Sequence, residues 1–385
     1  MEAIILLIIK WILCFFMTIY LFLIVVYYFS WRNLKVFIGG VNQSFITKVS
    51  IIIPARNEED NIANCLDDLL QQNYPKHLME AIIIDDNSSD KTCSIIKEFQ
   101  EQNPSLNINL ITLKDDQKTT AYKKRTVAEG IKEATGTLMI TTDADCRYGK
   151  NWVYTIVAFY EKNHPKFISA PVCFKDEKII FQRIQTLEFI SLIEIGAAAI
   201  NIRKPNMCNG ANIAFEKSAY MEVNGYEITE HIASGDDMFL LLKIAAKYPD
   251  GIHFLKSVDA TVYTYPKKNI KEFYQQRKRW ASKGMKYNNF SVTAVALITY
   301  FANLAWLINL ILVFFYPELL PLFVIQTIAR MFVEIIFLFS ISSFFKRKEL
   351  TLLYFPTFIF NIFYVIIVGA SGSIGGYTWK GRQVK

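Results

Sequence analysis

Four long apolar runs limit what this chain can fold into more than any other feature of its sequence. The first run lacks a basic start and a small-residue cleavage site, so it is interpreted as a retained anchor over residues 1–30 rather than a signal peptide. Each run is close to the roughly 20 residues that a helix needs to cross a bilayer. The sequence therefore predicts an integral membrane protein. The runs cover residues 4–29, 291–315, 319–345 and 350–374.

Basic residues beside the apolar runs predict the orientation of the chain. Arg32 and Lys35 follow the first run, and eight Lys and Arg residues between 267 and 286 precede the second. Lys and Arg collect in short cytoplasmic segments of membrane proteins. We therefore expect an inner or plasma membrane protein whose central part lies in the cytoplasm.

The last apolar run is the least regular. Pro356, Asn361 and a string of glycines interrupt it, so a bent or re-entrant segment is an alternative to a full crossing. A full crossing would also place the basic tail, residues 376–385, outside. We expect a C-terminal membrane domain over residues 290–375 with two to three spans.

Composition and absent motifs exclude several functions. The chain has 42 Lys and Arg against 35 Asp and Glu, and because the basic residues are dispersed, no nucleic acid partner is expected. None of the six cysteines forms a Cys-x-x-Cys pair, which argues against a zinc site or a disulfide framework. The glycine-rich fingerprints of dinucleotide and P-loop sites are also missing.

The segment between the first two runs alternates short β-branched strands with helical stretches. This alternation is typical of parallel βαβ units, and residues 45–285 suffice for one domain with its own core. We predict an α/β fold there. The predicted strands are residues 49–53, 81–84, 108–113 and 138–141.

Three of the four predicted strands end in polar or acidic clusters. The clusters are Ala55–Glu59, Asp85–Asp90 and Asp143–Asp145. Ligands of open α/β sheets bind beyond the carboxyl ends of the strands. The three clusters are therefore expected to converge on one crevice.

Asp143 and Asp145 have the spacing of a metal site. Residues two apart in an extended segment point the same way, so both carboxylates can face one hard cation such as Mg²⁺ or Mn²⁺. The alternative is an acidic turn that caps the next helix.

Three further groups allow both a chemical and a structural interpretation. Asp85 and Asp86 can bind a nucleoside or form an Asx turn. Asp237 is either a general base or, with Asp236, part of a helix start favoured by the helix dipole. Residues 276–280 are basic and aromatic, and such clusters also serve as interfacial anchors.

The stretch 181–200 predicts an amphipathic helix. Apolar residues alternate there with a few charged ones, among them Glu188 and Glu194. Such a helix lies at a membrane interface or packs on the sheet, and the sequence favours neither.

Six motifs occur in order along the chain: Ile53–Glu59, Asp85–Asp90, Asp143–Asp145, Asn209–Asn212, Gly235–Asp237 and Gln276-x-x-Arg279-Trp280. Together they closely resemble the family 2 glycosyltransferases, in particular the membrane-embedded branch with cellulose and hyaluronan synthases and ceramide glucosyltransferases. The resemblance covers about residues 48–285. It implies a GT-A fold, which is Rossmann-like with a mixed sheet, a nucleotide-diphosphate sugar donor, and Mg²⁺ or Mn²⁺.

The resemblance also implies roles on the donor side. Asp86 matches the residue that contacts the nucleoside, and Asp143 and Asp145 match the metal and diphosphate motif. Lys123 matches a donor contact, but Ala128 stands where many members have Asn, so this contact is less secure. The nucleotide loop is matched by Pro54, Ala55 and Glu58.

On the acceptor side, the resemblance makes Asp237 the catalytic base, with Asp236 as the alternative because the motif reads Gly-Asp-Asp instead of Thr-Glu-Asp. Gln276, Arg279 and Trp280 match the segment that closes over diphosphate and acceptor, with Arg279 on the donor side.

The resulting prediction is an inverting membrane glycosyltransferase that moves a sugar to a lipid or lipid-linked acceptor. A processive polysaccharide synthase is the alternative within the class, although few C-terminal segments are present for a polymer conduit. A non-catalytic membrane scaffold is the alternative outside it.

Overall fold

The computed structural model describes residues 1–40, 43–113, 122–226, 235–283 and 287–372, with the backbone of 377–379 and 382–384. The chain forms two compact units. We call the one with the apolar helices the membrane unit and the other the globular unit. The membrane unit comprises Met1–Asn33, Glu177–Ala198 and Pro266–Lys385, and the globular unit comprises Leu34–Asp176 and Ala199–Tyr265.

A seven-stranded mixed sheet forms the centre of the globular unit. Its strand order is β3-β2-β1-β4-β8-β6-β9. Strands β1 to β4 are mutually parallel, and β8 is antiparallel to both β4 and β6. The strands are β1 (Val49–Ala55), β2 (Met79–Asp85), β3 (Asn107–Thr112), β4 (Leu138–Thr141), β6 (Phe167–Ser169), β8 (Ile213–Glu216) and β9 (Ile252–Phe254).

A second, three-stranded sheet has the order β5-β10-β7. Its strands are β5 (Arg147–Tyr148), β7 (Val172–Phe174) and β10 (Val262–Thr264). The helices of the globular unit are α2 (Ile62–Leu70), α3 (Thr92–Gln102), α4 (Tyr122–Glu133), α5 (Trp152–Asn163), α7 (Lys217–Glu222) and α8 (Asp236–Lys247).

The four strands predicted from the sequence are present, and β1 continues two residues past its predicted end. Pro54 pairs with Ile84 and Ala55 with Asp85. The Ile52 carbonyl accepts a hydrogen bond from the Thr142 N–H, on the β4 side. Residues two apart in a strand direct their backbone groups to the same side, so an N–H at position 54, which proline lacks, would also face β4. Pairing with β4 ends at Ile52, and proline therefore costs no ladder hydrogen bond here.

Within the described residues, five helices are long and apolar enough to cross a membrane. Four match the predicted runs and have 17 to 28% of their apolar window buried, whereas the fifth, α6, has 72% buried. This burial argues against the interfacial interpretation. The packing partners described below belong to the membrane unit, as α6 itself does up to Ala198, whereas the packed alternative from the sequence placed the helix on the sheet. The helices are α1 (Glu2–Asn33), α6 (Ile180–Asn201), α10 (Phe290–Val313), α11 (Leu320–Phe344) and α12 (Tyr354–Gly372).

Helix α12 is continuous through Asn361, with Pro356 in its first turn. Its 19 residues span roughly 28 Å, which is long enough for a full crossing. The side chains of the basic tail lie outside the described residues. The backbone there pairs β11 (Tyr377–Trp379) with β12 (Arg382–Val384). One further helix, α9 (Ile270–Ala281), belongs to the membrane unit.

A buried polar network joins four helices of the membrane unit. The Glu334 carboxylate of α11 accepts hydrogen bonds from the Tyr20 hydroxyl of α1 at 2.6 Å and from the Tyr354 hydroxyl of α12 at 2.9 Å. Arg330 donates to Glu334 at 2.7 Å and to Asn303 of α10 at 3.0 Å. Charges inside membrane helices are expensive unless paired, and here the Arg330 and Glu334 charges offset each other. The N-terminal anchor is thus an integral member of this bundle.

Asn212 joins several elements of the globular unit. It is fully buried, donates to the Pro171 and Ala260 carbonyls at 2.7 and 2.8 Å, and accepts from the Trp152 indole at 3.0 Å. Three segments distant in sequence therefore meet at one amide.

Asn212→Ala should destabilise the globular unit. It leaves the Trp152 indole N–H and the Ala260 carbonyl without this buried partner, each at a cost of ~1–3 kcal/mol, and we expect the midpoint of thermal unfolding to fall by at least about 5 °C. Circular dichroism of the purified full chain measures this shift. Asn163→Ala, at an exposed position of α5, is the matched control and should leave the midpoint within about 1 °C.

Candidate active site

The carboxyl ends of β1 and β2 place the predicted nucleotide residues together. Pro54 and Ala55 end β1, and the backbone N–H of Asp86, one residue past β2, donates to the Ala55 carbonyl at 2.9 Å. Arg56 donates to the Asp86 carbonyl and lies 3.7 Å from its carboxylate. The parallel register of the two strands thus creates one continuous polar edge.

The loops after β1 and β2 are linked by further hydrogen bonds. The Asn57 N–H donates to Ser88 Oγ at 2.9 Å, and Asn57 Oδ1 accepts from the Ser89 N–H at 2.9 Å. The Glu58 N–H donates to Thr92 Oγ1 at 2.8 Å. The Glu58 side chain, 8% exposed, is thereby held between the two loops, where a nucleoside is expected.

Asp143 and Asp145 follow β4 and form a possible metal site with Cys146. The ligand atoms of the three residues all lie within 4.8 Å of one another. Carboxylate oxygens suit a hard divalent cation. The Cys146 sulfur is a softer ligand that suits other metals. The donor set therefore fits a cation held by the two carboxylates.

Two lysines of α4 bring positive charge to this place. Lys123 Nζ donates to Asp143 Oδ1 at 2.6 Å. Burial alone would lower the Lys123 pKa, but Asp143 and Asp236 outweigh it and raise that pKa. Lys124 is 1% exposed, and burial lowers its pKa to about 8 against the pull of the Asp236 carboxylate.

The candidate base is held by a backbone amide. Asp237 lies in the first turn of α8, and its Oδ2 accepts from the Gly210 N–H at 2.9 Å. The Gly210 carbonyl in turn accepts from Thr141 Oγ1, at the end of β4, at 2.8 Å. The strand that leads to the metal carboxylates therefore also fixes the position of Asp237.

Asp236 and Asp237 are adjacent but differ in exposure. Asp236 is 8% exposed, whereas Asp237 is half-buried. A general base must reach the proton it removes, so the geometry supports Asp237 over Asp236. Gly235, which precedes them, has φ of 83°, a left-handed conformation that glycine adopts without strain.

The predicted closing segment lies in the membrane unit, on α9. Gln276, Arg279 and Trp280 occupy the last two turns of this helix, and all three are half-buried. The other predicted site residues belong to the globular unit. Asp86 follows β2, Asp143 and Asp145 follow β4, and Asp237 lies in the first turn of α8.

Some residues of the site were not assigned from the sequence. Cys146 was visible only as the neighbour of Asp145. Gly210 belongs to the Asn209–Asn212 motif, to which no role was assigned, and none of the six motifs contains Lys124. Gly210 and Lys124 belong to the site through their contacts with α8, a segment distant from both in the chain.

Comparison with protein families identifies the class to which the chain belongs. The family model described as Glycosyl transferase family group 2 matches residues 138–369, and the one described as Glycosyl transferase family 2 matches residues 50–223. The first covers more than half of the chain, so the chain belongs to the family 2 glycosyltransferases. The predicted family and the predicted enzyme class are confirmed.

Two curated relatives illustrate the range of the family. A poly-beta-1,6-N-acetyl-D-glucosamine synthase of Staphylococcus aureus (strain MSSA476) is 26% identical over 275 residues, which are 70% of this chain and 63% of the relative. A dolichyl N-acetyl-alpha-D-glucosaminyl phosphate 3-beta-D-2,3-diacetamido-2,3-dideoxy-beta-D-glucuronosyltransferase of Methanococcus voltae is 35% identical over 121 residues, 31% of this chain and 36% of the relative. The chain thus spans less than two thirds of their lengths.

A solved structure extends the likeness to nearly the whole chain. A mannosyltransferase from Pyrobaculum calidifontis, in complex with GDP-Man and Mn²⁺, superposes with a TM-score of 0.62 at 17% identity and covers 94% of this chain and 98% of its own. At this identity the likeness concerns the fold alone. It confirms the predicted GT-A fold with helices at both ends.

Proposed function

We propose that this glycosyltransferase is an inverting, metal-dependent membrane enzyme that transfers a sugar from a nucleotide-diphosphate donor to a hydroxyl of a lipid or lipid-linked acceptor. The single observation that carries the proposal is the Thr141–Gly210–Asp237 connection, because it ties a half-buried carboxylate to the strand that leads to Asp143 and Asp145.

The donor side of the proposal rests on the edge formed by β1, β2 and β4. Pro54, Ala55, Glu58 and Asp86 would hold the nucleoside. A divalent cation, Mg²⁺ or Mn²⁺, bound by Asp143 and Asp145 would neutralise charge on the leaving diphosphate. The Mn²⁺ of the Pyrobaculum mannosyltransferase supports a cation of this kind. Lys123 and Arg279 would add positive charge for the diphosphate.

The acceptor side needs one base. Asp237 would accept the proton of the attacking hydroxyl, a step that typically contributes on the order of 10²- to 10⁴-fold. Hydrogen bonds from the Gly210 and Met238 N–H groups, at 2.9 and 2.8 Å, fix the orientation of its carboxylate. A single displacement inverts the anomeric configuration and needs no second catalytic carboxylate on the opposite face of the sugar ring.

The lipid acceptor follows from the membrane helices and from one relative. Four exposed apolar helices bring the enzyme to a bilayer, where Gln276 and Trp280 would receive a lipid-borne hydroxyl. The dolichyl-linked substrate named for the Methanococcus relative supports this choice. The basic flanks of the apolar runs support a cytoplasmic globular unit at an inner or plasma membrane.

Removing the two metal carboxylates should abolish metal-dependent donor binding. Asp143→Ala and Asp145→Ala each delete a hard oxygen ligand, and we expect Mn²⁺ to increase UDP or GDP affinity at least tenfold in the parent chain and not in the variants. Calorimetric titration with and without Mn²⁺ measures this. Asp67→Ala, at an exposed site, is the control, and unchanged metal dependence in both site variants would refute the assignment.

Removing the base should stop transfer and spare donor binding. Asp237→Asn keeps the shape of the side chain but loses the proton acceptor, so we expect kcat to fall at least a hundredfold with nucleotide affinity within about threefold. Asp250→Asn changes an exposed carboxylate and should leave kcat unaltered. An active Asp237→Asn enzyme would contradict the base assignment, and inactivity of the parent chain towards every donor would favour a binding scaffold.

A processive polysaccharide synthase is the second candidate function. The synthase relative from Staphylococcus aureus, similar over 70% of this chain, favours it. The dolichyl-linked substrate named for the Methanococcus relative favours single addition instead.

Product size separates the two candidates. The purified chain is incubated with labelled UDP-GlcNAc or GDP-mannose and extracted membrane lipids, and the products are resolved by mass spectrometry and gel filtration. Single transfer predicts one discrete glycolipid. A ladder of high-mass products would instead establish the synthase.

A further inference from the structure

The membrane unit contains a buried ion pair that neither the motifs nor the proposed reaction uses. Glu188 of α6 and Arg277 of α9 are 2% and 3% exposed. Arg277 donates to Glu188 through Nε at 3.2 Å and again through Nη2. Tyr364 of α12 donates to the same carboxylate at 2.6 Å. Three helices therefore meet at one carboxylate.

The Arg277 guanidinium also contacts the two side chains assigned to the acceptor. Its Nη1 donates to Gln276 Oε1 at 2.8 Å. Its Cζ lies 4.2 Å from the ring centroid of Trp280 and 4.5 Å from that of Phe273. A planar guanidinium can make a bidentate ion pair and stack on aromatic rings at the same time, which an ammonium cannot. Arg277 thus links the Glu188 carboxylate to both Gln276 and Trp280.

Aromatic rings enclose this pair. Phe273 is 1% exposed and packs against Phe360 and Tyr364 at centroid distances of 5.2 and 5.4 Å. Trp280 lies 6.2 Å from Phe189 of α6. In such surroundings the cost of desolvating both charges offsets much of their attraction, so a buried ion pair is a weak source of stability. The orientation that the pair imposes is the better explanation of its presence.

We infer that Glu188 and Tyr364 are positioning residues that act through Arg277 to fix Gln276 and Trp280 for the acceptor. The inference rests on the acceptor role proposed for Gln276 and Trp280. Glu188 and Tyr364 have no contact with substrate in this scheme. Their removal should therefore impair use of the acceptor and leave donor binding intact.

The test compares acceptor and donor kinetics of the full chain. Vesicles of a total lipid extract serve as acceptor at graded concentrations, with labelled UDP-GlcNAc or GDP-mannose as donor. In Glu188→Gln, which removes only the charge, we expect the half-saturating lipid concentration to rise at least tenfold and the donor KM to stay within about twofold. Tyr364→Phe removes a single O–H and should raise the lipid requirement about threefold. Should Glu188→Gln fail to fold, Tyr364→Phe alone decides.

Arg277→Lys distinguishes positioning from simple charge balance. It keeps the positive charge but loses the planar fork, so we expect it to be as impaired as Arg277→Gln. Full rescue by lysine would overturn the inference. A rise in donor KM equal to the rise in lipid requirement would also overturn it, because positioning of the acceptor segment affects the acceptor alone.

Two controls separate this inference from the proposed function. Glu177→Gln breaks the Glu177–Arg347 pair of the same unit, 3.2 Å long, and should change nothing; an equal loss there would indicate general loosening and overturn the inference. Trp280→Ala tests the acceptor role itself. If it leaves the lipid requirement unchanged, the acceptor assignment fails and the inference with it. If Trp280→Ala is impaired and Glu188→Gln is normal, only the inference fails.

Discussion

The parallel pairing of β1 with β2 and β4 is the interaction on which the site of the globular unit depends. Ala55 pairs with Asp85, and Ile52 pairs with Thr141, so three strands end at one edge of the sheet. Each strand is buried and mostly apolar until it ends, and the chain becomes polar there because the next residues leave the sheet. The nucleotide loop and the metal carboxylates are neighbours for this reason.

The sequence predicted what depends on local patterns. Strands β1 to β4 and the spans α10 to α12 follow from runs of apolar residues, and the place of Asp143 and Asp145 follows from the end of β4. The link from Asp237 to Gly210 could not be predicted, because it joins residues 27 apart in the chain through a backbone amide that carries no side-chain signal. The burial of Lys124 is equally invisible, since its surroundings come from α8.

Helix α6 shows what composition leaves open. By length and apolarity it qualifies as a membrane span, yet Glu188 is buried in a polar contact with Arg277 and Tyr364. A carboxylate is placed in such an interior only with partners, and those partners lie on helices that follow it by 89 and 176 residues. A single helical period cannot reveal them, so the sequence left its two interpretations open.

The network around Glu334 has a consequence for biosynthesis. Tyr20 is separated from Glu334 by 314 residues, so at 5–20 residues per second the ribosome needs roughly 15 to 60 s to make the partner. During that time the Tyr20 hydroxyl lacks this partner, while the whole globular unit is made. Arg330 and Glu334 are made together, one helical turn apart, so their charges offset each other from the start. The network that joins α1 to α11 can therefore form only after most of the chain has been made.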